Sequence, residues 1–484
     1  MIKAKIIPAM ALFSVMLASC DLYPEPKEPS TGAFYAQDIA TKSFYKVKAK
    51  ILYQGAHCEI WAETGSGVTK EMAKDIAREY DTVIRPRVVD TFSDKQFSVS
   101  YKGVDYHFDD ALDFANWLTG RNNKKLTILL LDIKDGFQDP RTDSYVAGYF
   151  YAGDFLTKGA NTVNGKVYYS NARDMIYVDT NPGLKENLTN TYATFAHELQ
   201  HLVNFATCVL LDKALTDTWV NEGLSAFAEY LYLGENPPDK CGWLRSSKNT
   251  IHTGNNFFVW DDYSDKPLAI LDDYATVYLF FRWLYLRAGA VTGLQSSIFR
   301  DIAHSNYPDY QAVTEAASQI DAKWGDWEVL LRTWLAANYY PQNSYGYTGD
   351  LELQEIIKIA PIAESNIPLR PGEGVYSIIN NSFTPNNGSG IHIKYAGLAA
   401  GNSTITTAAP HRGTLLTFNA NTDNKEGEET GYLTSVSPPP DPQTAAESAR
   451  SAKRPGEWDG PYVIDAQDML GRNKDMPIRI RVPR

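Results

Sequence analysis

The stretch Phe195-Ala196-His197-Glu198-Leu199-Gln200-His201-Leu202 constrains this chain more than any other. It lies inside a helical pattern read from Thr191 to Leu211, and a helix carries residues i and i+4 on one face. His197 and His201 therefore project side by side, where both imidazoles can reach one ion. Glu198 lies beside the position such an ion leaves open, where a carboxylate can take a proton from a coordinated water. Phe195, Leu199, Leu202 and Val203 make the rest of the surface apolar, so the helix is expected to be buried. A chemically active face on a buried helix needs a large core around it. The 484 residues, 44% hydrophobic and 21% charged, provide that core and leave room for two or three domains.

Trp219-Val220-Asn221-Glu222-Gly223-Leu224-Ser225 opens a second apolar helix, read from Asn221 to Leu233. Glu222 is a candidate third ligand, since two His, one Glu and a water make a common catalytic zinc set. Its bland alternative is an acid in a first turn, favouring the helix dipole. Together the two blocks resemble the gluzincin metallopeptidases, and more narrowly the hyicolysin family. The aminopeptidase-N family is a more distant relative that shares W-x-N-E-G. The resemblance spans about residues 45–345, with its specificity in the two blocks. It implies a zincin-type fold, one catalytic zinc ion held by His197, His201 and Glu222, Glu198 as general base, and a protein or peptide substrate. The sequence has no counterpart of the G-x-M-E-N segment that anchors the substrate amine in aminopeptidase N, which points to hydrolysis of internal peptide bonds.

In similar gluzincins a Tyr opening a later helix steadies the oxyanion. Tyr274, in Asp273-Tyr274-Ala275-Thr276, is the candidate here, against the alternative of a helix-start Tyr packed on the core. Thermolysin-like enzymes carry an Asp four residues after the Glu ligand, where this chain has Ala226. Asn204 and Glu229 are available instead to orient the imidazoles. An edge strand is expected to pair with extended substrate, from either residues 146–150 or residues 175–178.

Lys3 and Lys5 precede a mostly apolar stretch from Ile6 to Ala18, too short to span a bilayer and of signal-peptide size. It closes on Leu17-Ala18-Ser19-Cys20, which resembles the lipobox of bacterial lipoproteins. That implies a lipid anchor on Cys20 and an address in the cell envelope, facing periplasm or exterior. Pro24, Pro26 and Pro29 stiffen the segment that follows. For Cys58, Cys208 and Cys241, a Cys208–Cys241 disulfide and three free thiols are both open. The net charge of -12 speaks against a nucleic-acid partner.

Alternating or apolar runs at 45–54, 58–62, 126–132, 145–151 and 174–179 predict strands. Thr69 to Tyr80 predicts a helix capped by Thr69, with Met72, Ile76 and Ala77 on its apolar side. Further helices are expected at 274–287 and 324–338. After residue 361 Gly, Thr, Asn and Pro become frequent, with strand candidates at 375–380, 391–396, 414–418 and 477–482. The expected fold is α+β. It comprises a signal peptide (1–19), a tether (20–34), an α/β zincin lobe with the active-site helix (35–211), a helical lobe with the third ligand (212–360) and a β-sandwich-like accessory domain (361–484). Surface anchoring and a C-terminal β-domain suit a second reading as well, an adhesin or binding lipoprotein on a zincin scaffold with little or no activity.

Overall fold

The computed structural model describes residues 31–138, 145–163, 165–185, 187–245, 257–260, 270–362, 366–379, 389–398, 405–406, 413–424 and 427–432. The signal peptide, Cys20, most of the tether, the Pro-rich segment 437–442 and the strand expected at 477–482 lie outside them.

Strands β1 (Thr31–Asp38), β2 (Ser43–Gln54) and β3 (Cys58–Glu63) form an antiparallel meander. β1 takes up residues 31–34, which the sequence reading placed in the tether. In β2 the side chains of Val47, Ala49 and Ile51 turn inward while Lys46, Lys48 and Lys50 turn outward, the two-residue period of a strand with one wet face. Helix α1 (Lys70–Glu79) starts at Thr69, whose hydroxyl accepts from the Met72 amide, and runs through a π-helical turn into α2 (Arg85–Phe92). Its buried stripe is Ala73, Ile76 and Ala77, and Met72 is exposed. The apolar side therefore lies one residue further along the chain than the larger side chain suggested.

A hairpin of β4 (Phe97–Tyr101) and β5 (Val104–Phe108) leads to α3 (Ala111–Leu118), capped by Asp110. Then comes β6 (Leu126–Leu131), buried at every position as a strand with both faces covered must be. β7 (Gly148–Phe150), the hairpin β8 (Gly159–Val163) and β9 (Lys166–Ser170), and the fully buried β10 (Met175–Asp179) complete the lobe. Six of these strands make one mixed sheet in the order β1-β2-β3-β6-β10-β7, with β3, β6 and β10 parallel and β7 an antiparallel edge.

α4 (Leu188–Leu210) packs against β7 and β10 and is buried continuously from Phe195 to Leu210. α5 (Thr218–Leu233) lies along α4 and ends at Gly234, whose φ of 75° permits the left-handed turn. The Arg87 guanidinium donates to the last carbonyls of α5, at Leu231 and Tyr232. α6 (Pro238–Arg245), α7 (Ile270–Ala288), α8 (Ile298–Ala303), α9 (Tyr310–Ala317), α10 (Trp327–Tyr339) and α11 (Leu351–Ile356) complete the helical part. Trp219 at the start of α5 is fully buried among the rings of Phe257, Phe258, Phe280, Phe281 and Trp327. Cys58, Cys208 and Cys241 are buried free thiols.

The C-terminal strands are β11 (Asn366–Leu369), β12 (Gly374–Ile379), β13 (Ile393–Leu398), β14 (Ile405–Thr406), β15 (Gly413–Asn419) and β16 (Glu429–Tyr432). An antiparallel sheet in the order β12-β15-β13-β14 has Tyr376, Ala396, Leu398, Leu416 and Phe418 in the same core as the helices. Tyr376 stacks on Tyr339 and donates to the Leu335 carbonyl of α10 at 2.6 Å. Ile367, Leu369, Val375, Ile379, Ile393 and Leu415 form a second, smaller core that includes β11 of the pair β11–β16. Two further contacts reach the α5 region. Gly372, at φ +81°, lets the backbone pass so close to Phe258 that a Cβ would sit 2.6 Å from that residue's Cβ. Asn424 donates to the carboxylate of Asp217, just ahead of α5, at 2.7 Å.

Candidate active site

Helical spacing on α4 sets the imidazole rings of His197 and His201 4.8 Å apart between centroids, and α5 presents Glu222 between them. Oε2 of Glu222 lies 3.3 Å from Nε2 of His197 and 3.5 Å from Nε2 of His201. All three residues are buried, and that Oε2 has no hydrogen-bond partner. Two imidazole nitrogens and an unsatisfied buried carboxylate oxygen converging within 4.8 Å fit a divalent metal ion. Among the described residues no other group of His, Cys, Asp and Glu converges in this way. His57, His107, His304 and His392 stand apart from it, and His252 and His411 lie outside the described residues.

The electrostatics agree. Burial opposes ionisation of Glu222, yet attraction to the imidazoles of His201 and His197 holds its carboxyl far below the usual range. Burial also works against a charged His197, but the carboxylates of Glu222 and Glu229 beside its ring push it up to about 10. Without an ion, a proton on His197 answers the charge of Glu222; a divalent cation between them would take over that part.

Glu198 is buried at the same spot, and burial raises its pKa against the pull of His197 and His201. The backbone N–H of Phe150 on β7 offsets part of that rise. β7 passes so near that a Cβ at Gly148 would lie 3.2 Å from Cγ of Glu198 and 2.8 Å from Cγ2 of Thr194. Glycine is required there for the strand to approach the helix. Of the two strand candidates for substrate pairing, residues 175–178 lie inside the sheet between β6 and β7, and residues 146–150 include the edge strand.

Tyr274, in the second turn of α7, has its ring 6.3 Å from that of His197 and edge-on to Trp260 at 5.1 Å. Burial raises the phenol's pKa, and the carboxylates of Glu222, Glu198 and Glu229 add to the rise, as they must for a hydroxyl beside this cluster. Tyr274, the candidate read from sequence, therefore borders the site.

Each imidazole has its own support. Nδ1 of His197 is 2.8 Å from Oε1 of Glu229, and Lys240 donates to both oxygens of Glu229. Nδ1 of His201 is 3.0 Å from the hydroxyl of Ser225, which donates to Oε1 of Gln200 at 2.5 Å. Asn204, the other expected partner, donates instead to Asn221 and accepts from Thr216, tying α4 to the start of α5. Gln200, Ser225 and Lys240 escaped the sequence reading. For Ser225 the signal was present, since it follows Glu222 by one helical turn as Glu229 does by two.

Comparison with known proteins adds a relative. No family model matches the chain. The chain is similar to a neutral metalloprotease. That protein is the neutral metalloprotease ShpI of Staphylococcus hyicus, 27% identical over 281 residues. The match covers 57% of this chain and 55% of that protein, so the chain spans about half the length of its curated relative. Among the described residues no helix is long and apolar enough to cross a membrane.

Proposed function

We propose that this chain is a zinc-dependent metalloendopeptidase, in the manner of the hyicolysin family, and that it works from the cell envelope on a lipid anchor at Cys20. The observation that carries the catalytic reading is the convergence of His197, His201 and Glu222 around one point, with the carboxylate of Glu198 between that point and the edge strand β7. The similarity to a metalloprotease supports it independently.

His197, His201 and Glu222 would hold the zinc ion. When bound, zinc supplies Lewis acidity, lowering the pKa of water at its open position and polarising a carbonyl oxygen. As the edge strand, β7 would pair with an extended substrate and set the scissile bond over Glu198. Burial makes the Glu198 carboxylate a stronger base than a solvated one. It takes the proton of the attacking water and passes it to the leaving amine. The Tyr274 hydroxyl donates to the oxyanion as the carbonyl becomes tetrahedral. An open edge strand and the missing amine anchor favour internal bonds over chain ends.

The test is casein cleavage by the purified protein beside Glu198→Gln and a chelated sample. Glu198→Gln should keep its metal and lose about 100- to 10,000-fold in rate. Zinc loss from that variant, or full activity in it, removes the role given to Glu198. A folded, zinc-loaded wild type that cleaves neither casein nor unfolded peptides refutes the endopeptidase reading and favours a binding lipoprotein.

A further inference from the structure

We infer that Lys240 is a positioning residue for the metal site, acting through Glu229 on His197. The inference rests on reading His197, His201 and Glu222 as a metal set. Lys240 belongs to α6, outside both motif helices, yet it is only 6% exposed. Lysine is buried this far only when its charge is answered. Its Nζ donates to Oε1 and Oε2 of Glu229 at 3.1 and 2.8 Å, and to Oδ2 of Asp239 at 3.2 Å.

A glutamate carboxylate on its own turns about three side-chain torsions. A cation bridging both oxygens fixes its plane, so Oε1 is aimed at Nδ1 of His197, 2.8 Å away. With Nδ1–H donating to Oε1, the lone pair remains on Nε2, the nitrogen that faces Glu222. His201 makes the useful contrast. Its Nδ1 partner is the neutral hydroxyl of Ser225, held by Gln200 within the two motif helices, and needs no counter-ion.

Charge gives Lys240 a second task. Glu222 and Glu229 lie 3.3 and 2.8 Å from the two ring nitrogens of His197, and Glu198 is the next residue, so three carboxylates crowd one buried imidazole. Pairing Glu229 with Lys240 leaves Glu222 and Glu198 as the counter-charge to a divalent ion. Lys240 thus lets His197 have a carboxylate behind it without overcharging the site.

The experiment measures zinc affinity by competition with a chromophoric chelator on the full chain, as wild type, Lys240→Met, Glu229→Gln and the double variant. Urea midpoints of the metal-free proteins are followed in parallel. Lys240→Met should bind zinc about 10- to 100-fold more weakly. The double variant should bind more tightly than either single one, because a glutamine behind His197 accepts the same hydrogen bond and needs no cation. A Lys240→Met protein with wild-type affinity overturns the inference, and so does a double variant whose loss is the product of the two single losses. If Lys240→Met does not fold, the comparison of Glu229→Gln with the double variant decides. Equal or weaker binding by the double variant overturns the inference. Wild type that takes no zinc from the chelator is a different failure, since it refutes the metal site itself.

Discussion

Gly223 follows Glu222 directly, and replacing it with alanine tests what holds the proposed third ligand in place. A Cβ at this position would lie 2.3 Å from both Cδ2 and Cε2 of Phe281, and 2.9 Å from Cγ2 of Val277, on α7. Ordinary carbon contacts are about 3.5–4.0 Å, so the helices must part by roughly an ångström or the ring must move. The ring is hemmed in by Trp219, Phe280 and Phe299, at centroid distances of 6.2, 5.6 and 5.8 Å. Overpacking of a well-filled core costs about 1–3 kcal/mol, and the rigid surroundings put this case near the upper end. Alanine returns about 1 kcal/mol as the better helix former. Gly223→Ala is therefore expected to lose about 2 kcal/mol, read as a lower urea midpoint of the metal-free protein. Because α7 carries Tyr274 and α5 carries Glu222, zinc affinity should fall with it. Adding Phe281→Leu to make room should recover both. A Gly223→Ala protein that is as stable as wild type or more so, with unchanged affinity, refutes the argument that close packing of α5 on α7 sets the ligand.

Gly148→Ala should keep zinc and lose about 100-fold in kcat/KM on a peptide substrate, since its Cβ would push β7 off Thr194 and Glu198. An unchanged rate separates β7 from the chemistry. Chelation should lower the melting temperature, because an ion present at a thousand times its Kd adds about 4 kcal/mol to stability. A melting curve indifferent to chelator denies a bound structural or catalytic ion. Burial raises the Asp154 carboxyl to about 7, against hydrogen bonds from Tyr177 and Asn171. Its folded pKa exceeds its unfolded one, so its contribution is fully present below about pH 4 and is lost as pH rises through 7, on the order of 4 kcal/mol at most. Wild type should lose more stability between pH 5 and 7.5 than Asp154→Asn, and equal losses, read from urea midpoints at the two pH values, remove Asp154 as the cause.

What could be read from sequence was what depends on local spacing. His197 and His201 share a face because any helix puts residues four apart there, with Glu198 about 100° round from His197, and Glu222 could be singled out because its motif opens the next helix. β6 and β10 were visible as apolar runs because both their faces are covered. The hairpins β4–β5 and β8–β9 were missed because most of their side chains are exposed or half-buried, which leaves no strong alternation. Met72 misled because its size outweighed Ala73, whose small side chain is the one that faces the core. Which strand is the edge, and that a lysine from α6 stands behind His197, are properties of chain segments far apart in sequence. No periodicity records them.

The seating of Phe258 against Gly372, and the bond from Asn424 to Asp217, have a bearing on when this molecule becomes competent. A ribosome makes every residue assigned to the chemistry before it reaches the strands from β12 to β15. A chain released as far as residue 360 holds His197, Glu198, His201, Glu222 and Tyr274, but lacks the surface on which α10 and the approach to α5 are braced. Order of synthesis thus places the bracing of α10 and of the approach to α5 after residues 372–424 have emerged, so that a shorter chain carries the candidate metal-site residues without that support.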